Sequence, residues 1–366
     1  MSDATPLVLS VFPTFAVGGA QVRFAALAND QGPRWRHAVV SLDGRFDCAE
    51  RIAPEVPLQR CAFQAIPGEG MAGRLRRIRA LLRTLRPDAL VTSNWGSIEW
   101  AIANLPAPRI RHLHTEDGFG PDEARAQKRR RMVTRALALR WSHVALPSNG
   151  LLRAAREAWR LPESRLHLIA NGLDLRRFRR DGPRADLDVP GEGPLIGTVA
   201  ALRPEKNLSR LLHAVAALRQ MGVAARLVVI GDGSEAGMLR NLAGTLGIAD
   251  RVLFAGHVPD PAAAYRAIDL FALSSDTEQM PFSVLEAMAS GLPVASTDVG
   301  DVRTMLSGMN RPLVVARDGA ALAGALRLLV EDRALRERLG AANRAKAERD
   351  YDEAAMFRAY AGLIAQ

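Results

Sequence analysis

Short aliphatic runs alternate with amphipathic stretches along almost the whole chain. In the first half the runs predict strands near 6–12, 37–42, 88–93, 109–114, 143–147 and 166–169, with helical periodicity near 19–30, 70–86, 97–104, 122–140 and 148–160. Strands that alternate with helices imply βαβ units and parallel sheets. From Asp174 to Pro194 the pattern lapses into polar text rich in Gly and Pro, which reads as a linker. A second series then begins, with strands near 195–200, 226–231, 251–255, 269–273, 293–297 and 312–315 and helices near 208–221, 235–247, 261–267, 282–290 and 318–340. A separate helical pattern closes the chain over 350–366. Two doubly wound halves with a cleft between them follow, and ligands of such sheets bind at the carboxyl ends of the strands.

Composition narrows the class. At 366 residues the chain exceeds one ordinary core, and 48% hydrophobic residues suffice to build two. No apolar run approaches the roughly 20 residues that span a bilayer, and "PLVLSVF" lacks the flanks of a signal peptide and reads as a first strand. Cys48 and Cys61 have neither metal nor redox spacing, so a reduced, cytoplasmic protein is expected. The net charge of +10 favours anionic partners, although Lys128, Lys206 and Lys346 are the only lysines beside a large excess of arginine. With aromatics at 5% and no interleaving of basic and aromatic residues, nucleic acid is not an expected partner.

One segment carries more than a fold. In "SSDTEQMPFSVLEAMASGLPVAST" (274–297) Glu278 and Glu286 are separated by seven residues in an otherwise apolar stretch. Pro281 is favoured at the first position of a helix, which leaves Glu278 in the preceding loop and puts Glu286 in the second turn. The amides of Phe282, Ser283, Val284 and Leu285, at the positive end of that helix, form an anion site between the two carboxylates. Carboxylates beside an anion site make sense when they accept hydroxyl hydrogens, so a nucleoside diphosphate sugar is the ligand chemistry this pattern points to.

"EQMPFSVLEAMASGLPV" resembles the E-x7-E signature of the family 4 retaining glycosyltransferases (glycosyl transferases group 1). The order around it agrees: "GTVAALRPEKN" (197–207), "LVVIGDGSEAGML" (227–239) and "RVLFAGHVPD" (251–260) precede it, with "FPTFAVGGAQ" (12–21) and "LIANGLDLRRF" (168–178) further upstream. The resemblance implies an α/β protein of the GT-B fold, two facing Rossmann-like domains with parallel sheets and an inter-domain cleft. It implies an N-terminal acceptor-binding domain over 1–175, a linker over 176–194, a nucleotide-sugar-binding domain over 195–345 and a C-terminal helix over 346–366 that crosses back to the first domain.

By the same resemblance Glu286 would hold the ribose diol, and Glu278 with the backbone of Gln279, Met280, Pro281 and Phe282 would contact the donor sugar. Lys206 and Arg203 would offset the diphosphate. The family's arginine five residues before the lysine is here Ala201, and Arg203 is the candidate replacement. Gly18 and Gly19 open a helix after the first strand, where backbone can approach phosphate; Gly231, in "GDGSEAG", would border the nucleotide. His114, with His112 beside it, is the candidate to approach the transferred sugar. Glu116 and Asp117 would matter as general bases if the reaction inverted configuration, whereas the family resembles front-face retaining enzymes in which the leaving phosphate takes the acceptor proton.

The expected activity is transfer of a sugar from a UDP- or GDP-sugar to a glycan or lipid-linked acceptor in surface polysaccharide or glycolipid synthesis, without a metal: "DLD" (186–188) falls in the linker. A GT-B epimerase or hydrolase, or a catalytically degenerate nucleotide-sugar-binding subunit, is the alternative. The basic amphipathic stretch "RAQKRRRMVTRALALRW" (125–141) is either a solvated helix face or a peripheral contact with anionic lipid at the inner face of the membrane.

Overall fold

The computed structural model describes residues 5–106, 109–119, 123, 127–258 and 260–365. Contacts divide the chain into two units, Met1–Ala170 together with Met356–Gln366, and Asn171–Ala355.

In the first unit β1 (Leu7–Phe12), β2 (Arg36–Ser41), β3 (Leu58–Ala62), β4 (Ala89–Ser93), β5 (Arg111–Thr115), β6 (His143–Leu146) and β7 (Leu166–Leu168) pair in parallel in the order β3-β2-β1-β4-β5-β6-β7. Helices α1 (Gly19–Gln31), α2 (Met71–Leu85), α3 (Ile98–Ala103), α4 (Arg129–Ala138) and α5 (Asn149–Glu157) fill the crossovers. β1 and β4, covered by helices on both faces, are mostly apolar, whereas the inner strand β5 carries His112 and His114: Leu9, Val11 and Leu90 pack under Ile78 and Trp100, while Val8, Val91 and Leu113 lie in another cluster.

The second unit repeats the plan with β8 (Leu195–Val199), β9 (Arg226–Ile230), β10 (Val252–Gly256), β11 (Leu270–Leu273), β12 (Val294–Thr297) and β13 (Val314–Val315) in the order β10-β9-β8-β11-β12-β13. Its helices are α6 (Leu208–Gln220), α7 (Ala236–Thr245), α8 (Pro261–Ala267), α9 (Phe282–Ala289), α10 (Val302–Met305), α11 (Gly319–Glu331) and α12 (Arg333–Asp350). Strand order reverses between β8 and β11, and the carboxyl ends of such a strand pair are where open α/β sheets leave a crevice for ligand. The polar stretch after Asn171 is laid on this unit: Ala185 donates its amide to the Ala263 carbonyl, and Arg344 donates to the carbonyls of Phe178 and Ala289. The last helix, α13 (Glu353–Ala365), puts Met356, Phe357, Tyr360, Leu363 and Ile364 into the core of the first unit with Val8 and Leu113.

Four elements differ from the sequence pattern, the single-turn α10, which it did not mark, among them. β3 carries no apolar run because it is an edge strand on which only Cys61 is buried. The helix expected over 318–340 is two helices. Asp332 stops the first and caps the second, its carboxylate accepting the Leu335 amide at 2.8 Å. Of the helix expected over 122–140, residues 122 and 124–126 lie outside the described residues, and the helix observed is α4. No helix is long and apolar enough to cross a membrane among the described residues.

Candidate functional site at the switch point of the second sheet

After β11 the chain runs through Ser274–Met280 before α9, and after β8 it runs through Ala200–Asn207 before α6. The two loops are tied together. Lys206 Nζ donates to Glu278 Oε1 at 2.6 Å, and Ser275 Oγ donates to the same oxygen at 2.7 Å. Glu278 is 10% and Lys206 24% exposed, so the pair is shielded yet reachable from solvent. Beneath it Arg210 donates to Asp276 Oδ1 and to the Ser274 carbonyl, both at 2.7 Å, and Asn207 Nδ2 donates to Asp276 Oδ2 at 3.0 Å. The Asp276 amide reaches the Glu205 carbonyl at 2.9 Å, and Ser274 Oγ the Lys206 carbonyl at 3.1 Å. Asn207 adopts a left-handed conformation (φ 41°) that turns the chain into α6, whose Arg210 amide it caps.

A third loop closes on this one. Gly300 (φ 53°) runs so near that a Cβ there would come within 2.4 Å of the Gln279 carbonyl oxygen, and the Asp301 amide donates to that same oxygen at 2.8 Å. Gly231 (φ 130°) plays the matching part for the β8 loop, since a Cβ on it would overlap the Ala200 carbonyl oxygen at 1.9 Å. Glycine is the residue that tolerates both the positive φ and the close approach. Arg203 is exposed and forms no ion pair among the described residues; Ala201 is exposed as well.

Pro281 is the N-cap of α9 (φ −69°, ψ 126°) and not its first helical residue. Its carbonyl already accepts the amides of Val284 and Leu285 at 3.2 and 3.4 Å. The anion site expected from four amides is therefore reduced to those of Phe282 and Ser283. Met280 is buried, its carbonyl accepting from Asn171 Nδ2 at 3.0 Å, so its side chain packs inward.

Glu286 projects from the second turn of α9. Its Oε2 accepts from the buried Tyr265 hydroxyl at 2.8 Å, and the same hydroxyl lies 3.2 Å from the Ser283 carbonyl. Burial raises the Glu286 carboxyl above its ordinary value, against the Tyr265 hydrogen bond and the charge of Arg177. Burial, then the Glu286 charge, pushes the Tyr265 phenol well above its own. Of the two carboxylate oxygens the Tyr265 hydroxyl bonds only to Oε2, and Oε1 forms no hydrogen bond among the described residues.

Gly18, Gly19 and His114 belong to the first unit. Gly18 caps α1 in extended backbone that any residue adopts, and Gly19 begins the helix. His114 is fully buried on β5, its Nδ1 2.8 Å from Thr92 Oγ1. The same hydroxyl lies 2.8 Å from His112 Nε2, while His112 Nδ1 meets Ser142 Oγ at 2.6 Å. Burial, reinforced by the charge of His114, lowers His112 to about 3, which keeps it neutral. His114 Nε2 and Glu116 Oε1 have no hydrogen-bond partner among the described residues. Both carboxylates considered as general bases are paired with arginines. Glu116 is buried with its Oε2 on Arg135 Nε at 3.1 Å, and Arg135 is itself boxed by Trp95, Phe119 and Trp159. Asp117 is held by both terminal nitrogens of the buried Arg23.

Sequence reasoning missed Ser275, Asp276, Asn207, Arg210, Tyr265 and Gly300. Polar residues at the ends of two strands flanking the order reversal were the available signal; Tyr265, in an alanine-rich helix, gave none.

Two parallel, doubly wound α/β units with a polar cluster at the switch point of the second define the GT-B class of fold. The family model described as Glycosyl transferases group 1 matches residues 180–346, and the one described as Glycosyltransferase Family 4 matches residues 17–177. The chain belongs to the group 1 glycosyltransferase family. It is 35% identical over 198 residues to a D-inositol 3-phosphate glycosyltransferase of Nocardia farcinica, covering 50% of this chain and 44% of that one. It is 34% identical over 183 residues to the lipopolysaccharide core biosynthesis glycosyltransferase LpsE of Rhizobium meliloti, 50% of this chain and 53% of that one. The chain thus spans about half the length of the curated relatives it matches. Among solved structures, Anabaena HepE in complex with UDP and glucose aligns over 98% of this chain and 99% of its own, with 18% identity and a TM-score of 0.81, a likeness of fold.

Proposed function

We propose that the protein transfers a sugar from a nucleoside diphosphate sugar to a glycan or lipid-linked acceptor, with retention at the anomeric carbon. The observation that carries this reading is the meeting of Lys206, Glu278 and Ser275 at the carboxyl ends of β8 and β11. Lys206 and Arg203 stabilise the diphosphate as charge builds on it, the kind of term that usually dominates catalysis of group transfer. Glu278, exchanging its ammonium partner for hydroxyl hydrogens, orients the donor sugar together with the Gln279 backbone. Glu286 Oε1 accepts from the ribose diol while Tyr265 holds the other oxygen. Gly231 lines the approach to the nucleotide, and His114, the candidate sugar contact of the first unit, is buried on β5 and needs its cover to open before it can touch a sugar. With Glu116 and Asp117 both occupied by arginines, proton acceptance falls to the leaving phosphate, which supports retention without a protein base.

A cavity of about 350 Å3 at the carboxyl side of β2, β3 and β4, walled by Phe63, Met71, Arg74, Trp95, Glu99 and Arg130, suits an acceptor with both apolar and anionic parts. The names of the relatives, an inositol phosphate and a lipopolysaccharide glycosyltransferase, support such an acceptor, and HepE supports UDP as the carrier. The basic stretch ending at Trp141 fits work at the cytoplasmic face of an anionic membrane.

Thermal-shift screening against UDP-, GDP- and ADP-sugars, followed by NMR of the product's anomeric centre, tests the reading. Stabilisation by UDP- or GDP-sugars and a product of unchanged configuration are expected. An inverted product refutes the retaining mechanism, and free sugar released without transfer across an acceptor panel favours the hydrolase alternative.

A further inference from the structure

A cavity of about 480 Å3 opens at the amino ends of β5, β6 and β7, the end of the sheet opposite to Thr115 and Glu116. Its wall carries Arg109, Arg111, Arg165, His143, Ser142 and Trp141, with no carboxylate among its described lining residues. None of the three arginines forms an ion pair among the described residues. Each spends little of its donor capacity on the protein: Arg109 Nε on the Pro106 carbonyl at 3.0 Å, Arg111 Nη1 on the Ile364 carbonyl at 2.9 Å, and Arg165 Nη1 on His143 Nε2 at 2.9 Å. A guanidinium has five N–H donors, so most remain to be satisfied. Because Arg165 can only donate, His143 Nε2 must be an acceptor. The ring is therefore neutral, with its proton on Nδ1 donated to His167 Nε2 at 2.8 Å. Burial, then the charges around it, lowers His143 below its ordinary value, consistent with that tautomer.

Trp141 lines this pocket, and exposed apolar residues of α4 precede it along the chain. Val133, Leu137 and Trp141 follow one another at four-residue spacing and are 59%, 66% and 63% exposed, beside the basic run that opens α4. Unpaired guanidinium groups beside an exposed tryptophan match the boundary of an anionic bilayer, where phosphate and acyl chain meet. The geometry points to a pocket that seats the phosphodiester headgroup of an anionic membrane lipid on Arg109, Arg111 and Arg165, with Trp141, Leu137 and Val133 entering the acyl boundary. This site rests on the membrane-surface part of the proposed function and is separate from the donor and acceptor sites.

The test is vesicle co-sedimentation with phosphatidylcholine alone or mixed with phosphatidylglycerol, read together with tryptophan emission. The wild type is expected to bind the mixed vesicles only, with a blue shift that Trp141→Phe largely removes, since Trp35, Trp100 and Trp159 are already buried and the half-buried Trp95 lines a different cavity. Arg109→Ala with Arg165→Ala is expected to weaken binding about tenfold or more, at roughly 1 kcal/mol per basic residue at an anionic surface. Arg333→Ala with Arg338→Ala, which removes the same charge from exposed positions of α12, is expected to change it less than about twofold. Equal loss in both double variants overturns the pocket while leaving membrane binding in place. Failure of the wild type to bind overturns the pocket and the membrane reading, leaving sugar transfer to stand on its own assay. If the first double variant does not fold, soluble glycerol 1-phosphate decides the matter on the wild type: competition with vesicles supports the pocket, and its absence overturns it. Binding of glycerol 1-phosphate or inorganic phosphate without vesicle binding assigns the pocket to a soluble anion instead and overturns the lipid.

Discussion

Lys206 Nζ stands 2.6 Å from Glu278 Oε1, joining the loop after β8 to the loop after β11. The two charges neutralise each other, and a diphosphate arriving at the ammonium would free the carboxylate for a sugar's hydroxyls. On the proposed function, the roles of the two residues become one exchange of partners.

Removing the ammonium should therefore harm turnover more than folding. In Lys206→Ala the Glu278 carboxylate keeps Ser275 as a donor, so the thermal midpoint should move little. Loss of the charge that stabilises the leaving diphosphate should lower kcat by about 10²–10³. Steady-state kinetics with the donor identified by thermal shift checks this; an unchanged kcat would remove Lys206 from the reaction.

How much of this was legible beforehand differs between the two units of the chain. Glu278, Glu286 and Lys206 stood out because charged residues interrupt apolar strand–helix text at the ends of strands. Their partners did not: Arg210 and Asp276 look like any polar helix-start and loop residues until the loops meet. Pro281 marked the helix start correctly to within a residue, yet its carbonyl takes the amides of Val284 and Leu285, and periodicity does not show that. Glu116 read as a possible base because the arginine that holds it lies 19 residues away on α4. β3 was invisible because an edge strand need bury only one side chain. The halves were legible because doubly covered strands announce themselves as continuous aliphatic runs.

Glu286 links function and stability in opposite senses. Its carboxyl is raised in the folded protein, chiefly by burial. A raised group contributes stability that is fully present below its unfolded value and lost as pH rises through the folded one, so at neutral pH the charged side chain is a burden. Glu286→Gln should hold or raise the thermal midpoint at neutral pH, while donor affinity falls by about tenfold, the scale of one charge-assisted hydrogen bond. Donor affinity of the wild type should also decline on mild acidification, beginning above the ordinary glutamate range, and that decline should vanish in the variant. Calorimetric titration at several pH values tests both parts.

Gly300→Ala tests the third loop. The added methyl would sit 2.4 Å from the Gln279 carbonyl oxygen and 2.6 Å from that of Glu278, on a residue whose φ of 53° already disfavours a side chain. The loop must shift, and Glu278 with it. KM for the donor should rise and kcat fall, with a destabilisation of about 1–3 kcal/mol from the strained backbone. Gly237→Ala, on α7 with open space at its Cβ, is the matched control and should leave both unchanged.

Acid stability depends on two histidines that take no part in this site. His37 borders a cavity of about 40 Å3 in the first unit, where neither its Nδ1 and Nε2 nor Ser10 Oγ has a hydrogen-bond partner among the described residues. Burial lowers His37 to about 4, and burial followed by the His114 charge lowers His112 to about 3. The unfolded chain, with histidines near 6.5, takes up these protons first. Stability is therefore fully present above pH 6.5 and drains away as pH falls toward the folded values. Between pH 7.5 and 5.5 each histidine should remove roughly 1–1.5 kcal/mol, from the linkage of protons to unfolding. Denaturant midpoints at the two pH values measure these contributions together with those of His143 and His167, which burial also lowers, and His37→Asn should reduce the difference by roughly 1–1.5 kcal/mol. A variant with the full wild-type pH dependence would show that His37 is already solvated or charged in the native state.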